Sequence, residues 1–159
     1  MDEELFNNLK TYGLTHEFDW FAFDKKGQIA IFTSVDSGIV PTQVWESYEA
    51  YGNTLNFFLN LQPKKNFQQL LDSNPGAEED YKEYAKTGIF AYRYSSLDFG
   101  RTHDLFQLQA EPDIPLLSEK IKLKETYKKS IPVIDVVFGI DTQIANRELE
   151  KLLITPHKK

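Results

Sequence analysis

The densest run of potential chemistry in the chain is Asp98-Phe-Gly-Arg101-Thr-His103-Asp104, which brings two carboxylates, a guanidinium and an imidazole close together. His103 could move a proton near neutral pH, Arg101 could hold a carboxylate or phosphate through paired hydrogen bonds, and Asp98 or Asp104 could orient the imidazole. The same residue types also make an ordinary polar connection between strands, and no partnered nucleophile accompanies them. A second loop, Ser34-Val-Asp36-Ser37-Gly38-Ile-Val-Pro41, could turn backbone N–H groups toward an anion. A small enzyme or anion-binding domain would need these two loops to converge on one pocket. Neither GxGxxG nor GxxxxGK[ST] occurs, so the phosphate-loop patterns fail at the level of spacing. His16, His103 and His157 lie far apart in a chain without cysteine, and Asp19, Asp24 and Asp36 do not follow a calcium-loop pattern. No metal and no cofactor is expected.

The elements that would position these loops can be read from periodicity. Leu5, Phe6, Leu9 and Tyr12 recur at helical spacing and Gly13 follows, which predicts a short first helix. Phe18 to Asp24 (FDWFAFD) is apolar on both faces, with Phe18, Trp20 and Ala22 on one side and Phe21 and Phe23 on the other, and QIAIFTS repeats that character. Asp24-Lys-Lys-Gly27 between them reads as a hairpin turn, its Asp and Gly explained by turn chemistry without a ligand. Thr42 is placed to cap a long helix with a stripe of Val44, Trp45, Tyr48, Tyr51, Leu55, Phe58 and Leu59. Phe67, Leu70 and Leu71 suggest another helical turn before the break at Asn74-Pro75-Gly76, and Glu78 to Thr87 reads as a helix stopped by Gly88. Ile89–Ser96, Asp104–Glu111 and Ile131–Phe138 are strand-like, and Lys120-Ile-Lys-Leu-Lys124 has the alternation of an edge strand guarded by lysines. The pattern predicts one α+β domain over residues 1–159, a mainly antiparallel sheet with helices packed on it, and a flexible tail from about 155.

Composition narrows the function. The 159 residues suit a single domain, and no segment approaches the ~20 apolar residues of a membrane span. The acidic start MDEELFNNLK is unlike a secretory signal, so a cytoplasmic location is expected, with no membrane partner. A net charge of −6 argues against a nucleic-acid partner, whose phosphates demand Lys and Arg. It suits a basic protein partner instead, because opposite fields accelerate encounter.

Three stretches carry a resemblance: DWFAFDKKGQIAIFTSVDSGIVP, GIFAYRYSS and EPDIPL. Together they resemble a loosely defined group of small bacterial proteins, several of which sit beside toxin genes and are taken to be immunity proteins that bind and block a cognate toxin. The group's pattern is an aromatic strand ending in Asp, a glycine turn, an IAxF strand, a small-residue loop closing in Pro, a GxFAY strand and a PxxPL segment. This chain departs from it in carrying Asp36 in the loop. The resemblance implies a non-enzymatic protein-binding role with a cognate toxin as partner, and the net charge of −6 suits a basic toxin domain. Asp36, Glu46, Glu49, Glu78, Glu79 and Asp80 are then the candidate contacts, as acidic residues expected on the surface.

Overall fold

A computed structural model describes residues 1–63, 79–95 and 104–154. The helical turn expected at Phe67–Leu71, the break at Asn74–Gly76, Glu78, Asp98, Arg101, His103 and the tail with His157 lie outside the described residues.

The first helix, α1 (Glu3–Tyr12), begins where the Asp2 carboxylate accepts the Leu5 N–H at 2.9 Å, with Glu3 and Glu4 complementing the positive end of the helix dipole. It ends at Gly13, whose φ of 95° is the positive value expected there. Phe6 and Leu9 are buried, but Tyr12 is 83% exposed and does not extend the stripe.

Strand β1 (Phe18–Asp24) pairs antiparallel with β2 (Ile29–Ser34), from Phe18 opposite Ser34 to Phe23 opposite Ile29. Both strands are sealed along their length except at Asp19, which is partly exposed. Alternation assigns the side chains as expected. Phe18, Trp20, Ala22 and Phe32 enter one aromatic core with Phe6, Tyr92 and Phe106, whereas Phe21, Phe23, Ile29 and Ile31 enter a second on the opposite face. Burying each large apolar side chain is worth about 1.5–3 kcal/mol, so covering both faces is the dominant stabilising term. Even the Trp20 indole is satisfied, donating to Ser34 Oγ at 2.9 Å, and Ser34 in turn donates to the Ile39 carbonyl.

The helix expected from Thr42 divides. Thr42–Trp45 forms a 3-10 turn, and α2 (Tyr48–Leu59) starts only after Ser47, whose hydroxyl accepts the Ala50 N–H. Ser47 therefore supplies the cap expected of Thr42. Helix α2 bridges the two cores, with Tyr51 in the first and Phe58 in the second, and its last residue Leu59 is 59% exposed. Helix α3 (Glu79–Lys86) buries Tyr81 and Ala85 in the second core, and Gly88, with φ 96°, ends it as expected. A Cβ at Gly88 would lie 2.8 Å from the Leu116 nitrogen, so the close approach of that segment also requires glycine.

Strand β3 (Phe90–Ser95) runs parallel to β2 and pairs antiparallel with β4 (Leu105–Ala110). Of the run 131–138, Val133–Ile134 forms the strand β5, parallel to β1; beyond it the chain turns so that Val136 and Phe138 fill the first core. The three-residue β6 (Gln143–Ala145) closes the far side against β4, giving the order β5-β1-β2-β3-β4-β6. Three of the five pairings are antiparallel, so the sheet is mixed but mainly antiparallel. The lysine-rich segment is not an edge strand. Its alternation is real, but Ile121 and Leu123 cap the second core from above the sheet, while β5 and β6 occupy the edges. Two short helices, α4 (Glu125–Lys128) and α5 (Leu149–Leu152), complete the domain.

The Asp24-to-Gly27 turn does more than reverse the chain. Asp24 is buried, and its carboxylate accepts from the Lys26 and Gln28 backbone N–H groups, from the Gln28 side chain and from the Phe138 N–H at 2.9 Å. One side chain thus closes the hairpin and fastens a segment more than a hundred positions away. Asp24→Ala is expected to cost about 3 kcal/mol or more in urea unfolding, because it strands buried donors, with Asp24→Asn intermediate because it keeps one acceptor oxygen. A loss below about 1 kcal/mol for the alanine variant would show that Asp24 is not the anchor.

Candidate functional site

Among the described residues, a groove of about 570 Å³ lies beside the first residues of β1. Its floor is Asp19 and Thr33, directly paired across the hairpin, with Thr33 Oγ1 donating to Asp19 Oδ1 at 2.6 Å. The end of α2 forms one wall with Phe58, Leu59 and Leu61, and α3 forms the other with Asp80, Tyr81, Glu83 and Tyr84. Glu17 stands at the entrance and is ion-paired with Arg93 of β3, which also donates to the Tyr81 hydroxyl at 3.2 Å. Tyr51 fixes the floor from below by donating to the Asp19 carbonyl at 3.0 Å.

The electrostatics of this groove are acidic. Glu17 is matched by Arg93, Glu83 by Lys86 and Glu79 by Lys82. Asp19 and Asp80 have no ion-pair partner among the described residues. Burial pushes the Asp19 carboxyl above its ordinary value; the Thr33 hydrogen bond and Arg93 oppose the shift, and Glu17 and Asp80 add to it. Tyr84 is pushed up to about 12 by burial and by the same two aspartates. A carboxylate whose charge is disfavoured by burial is one that a cation would stabilise.

The expected contact residues fall in separate places. Asp80 lines the groove and Glu79 adjoins it on α3. Glu46 and Glu49 border a shallow depression with Lys124 and Lys129, where the Tyr127 hydroxyl donates to Glu49 at 3.2 Å, so that surface is mixed in charge rather than acidic. Asp36 is exposed in the loop after β2, with a φ of 51°.

That loop does meet the start of β4. Buried Asn146 accepts the Ile39 N–H at 2.8 Å and donates to the Ser37 carbonyl and to Asp104 Oδ1, both at 3.0 Å. Tyr94 donates to Asp104 at 2.8 Å from beneath Gly38, where a Cβ would sit 2.9 Å from the ring. Arg147 pairs with the other Asp104 oxygen at 3.0 Å. Burial disfavours the Asp104 charge, but these three donors more than offset it and hold its carboxyl below the ordinary value. Asp104 is the member of the Asp98–Asp104 run that the described residues contain, and here it acts as an anchor between loop, β4 and the 3-10 turn at Asn146–Glu148.

Asp19, the centre of the groove, is the residue that motif reasoning passed over. Its signal is a charge flanked by Phe18 and Trp20 inside a strand whose other residues before the turn at Asp24 are apolar on both faces, a placement that requires either a partner or an opening. Comparison with protein-family models, with characterised proteins and with solved structures gives no match.

Two measurements follow from this geometry. Between the ordinary carboxyl value of 3.8 and the raised folded value, the native state binds the Asp19 proton more tightly than the unfolded chain, so stability falls as pH rises through that window. Asp19→Asn keeps an acceptor for Thr33 and removes this slope, so its stability relative to wild type should rise as pH increases above about 4 in urea unfolding. A difference independent of pH would show that Asp19 titrates as an ordinary surface carboxyl. At the other end, Asn146→Ala should cost about 1–3 kcal/mol by leaving the Ile39 N–H without its acceptor, with the largest amide exchange increase in residues 35–40. Unchanged exchange in that loop would remove Asn146 as its anchor.

Proposed function

We propose that this chain is a non-enzymatic protein-binding domain, specifically a bacterial immunity protein that neutralises a cognate toxin by occupying its surface. The observation that carries the reading is the groove: a mouth that combines Tyr84 and the exposed Leu59 with Asp19 and Asp80, whose carboxylates have no ion-pair partner among the described residues. Aromatic and aliphatic surface beside uncompensated charge is the composition of a recognition site, where apolar contact gives affinity and charge selects the partner. Occlusion requires complementary shape and field, and the net charge of −6 would speed capture of a basic toxin domain. The likeness of DWFAFDKKGQIAIFTSVDSGIVP and GIFAYRYSS to the toxin-associated group supports the same assignment.

The test is co-expression of the chain with each product of the genes flanking its own, followed by co-purification and a growth assay. An equimolar complex that weakens with added salt, together with restored growth of cells carrying the toxic product, is the expected result. Protection without a complex, or no association with any flanking product, would overturn it.

A further inference from the structure

The groove's chemistry specifies what enters it. Its walls at Phe58, Leu59 and Tyr84 are apolar, and Leu59 is among the most exposed large apolar side chains described. Its floor and rim carry Asp19 and Asp80, which line the same groove as Tyr84, and both carboxylates add to the rise in the pKa of the Tyr84 hydroxyl. An apolar peptide alone would bury these carboxylates unpaired, which is costly, and an anion would be repelled. A primary ammonium would satisfy the charge as a compact, strongly hydrated point cation, without a planar fork to span two separate carboxylates. A guanidinium meets both demands: it is planar, stacks on aromatic faces, offers donors in several directions at once and is more weakly hydrated than an ammonium. The domain already places one guanidinium in this setting, since Arg93 bridges Glu17 and the Tyr81 hydroxyl at the groove's edge.

Resting on the protein-binding reading above, we infer that the partner inserts an arginine side chain into this groove, its guanidinium between Asp19 and Asp80 and its aliphatic stem against Leu59 and Tyr84. Asp19 is then the specificity-determining residue and Asp80 its outer counterpart. Binding replaces a carboxylate that is charged at a cost with one that is paired, so the arginine is selected over any neutral side chain of equal size.

The probe is the peptide N-acetyl-Leu-Arg-Leu-amide, compared with the same peptide carrying citrulline, which keeps the shape and removes the charge. Titration followed by NMR should move the resonances of Leu59, Tyr81 and Tyr84 with the arginine peptide, with at least tenfold weaker affinity for the citrulline peptide. The Asp19→Asn/Asp80→Asn double variant should reduce the arginine peptide to the citrulline level. Its amide spectrum, recorded first, shows whether the fold is retained, and Asp80→Asn alone, a surface change, serves if it is not. Equal shifts with both peptides, shifts unaffected by the substitutions, or no shift at all would overturn the inference. Where a flanking product has been captured, an unchanged Kd for the double variant overturns the arginine assignment and leaves protein binding standing. Saturable arginine binding by a chain that captures no flanking product supports the cation-binding groove and removes the toxin-neutralising reading.

Discussion

A hairpin that is apolar on both faces cannot lie on the surface of a protein, and the rest of this fold answers that constraint. Phe18, Trp20 and Phe32 need one cover, and Phe21, Phe23 and Ile31 need another. The chain supplies the first from α1, the 3-10 turn at Thr42–Trp45 and the 136–149 region, and the second from α3 and the lysine-rich segment. Helix α2 reaches both because it crosses the end of β1, so that Tyr51 stacks on Phe18 while Phe58 stacks on Phe21. Among the described residues, the groove lies where this double cover is incomplete. Asp19 is the partly exposed residue in β1, and the ends of α2 and α3 stand on either side of it.

Polar groups buried by this arrangement are used as fasteners. Asp24 collects donors from its own turn and from Phe138, Ser34 joins Trp20 to the following loop, and Asn146 ties that loop to β4. Each sits where the sheet changes direction and backbone groups lack ladder partners, which is where an unmet donor or acceptor would be most costly. The exception is Thr54, whose buried hydroxyl has no partner among the described residues. The same contrast separates the two aspartates with shifted carboxyls. Asp104 is surrounded by donors and held as an anion, whereas Asp19 has one hydroxyl donor and an opening in front of it.

How much of this could be read from the sequence depended on whether a residue's environment is local. Alternation in FDWFAFD assigned both faces of β1 correctly, since a strand covered on two sides declares itself without knowledge of what covers it. Asp24 and Gly27 were legible as a turn, but the bond to Phe138 was not, because nothing in the turn names a partner so distant. The alternation of Lys120–Lys124 likewise gave the buried positions and not the element: two inward apolar residues look the same on an edge and on a face. Ser47 prevailed over Thr42 as the cap because the Thr42–Trp45 turn places Trp45 in the core before α2 begins. Strand β6, with Ile144 as its buried residue, is too short for any period to show. The groove required three separated pieces of chain, and the acidic residues chosen by type alone were scattered over surfaces that only the fold could distinguish.

The parallel pairing of β1 with β5, fastened by a bond between residues 114 positions apart, has a consequence for biosynthesis. At about 5–20 residues per second, the ribosome completes the first hairpin at Ser34 roughly 5–20 s before it delivers Val133–Ile134, the strand that flanks it. During that interval β1 presents an unpaired edge rich in aromatic residues, the kind of surface that recruits neighbouring strands or chaperones. A nascent chain of this protein is therefore most vulnerable in its first third, and the last third is needed less to build the groove than to end that exposure.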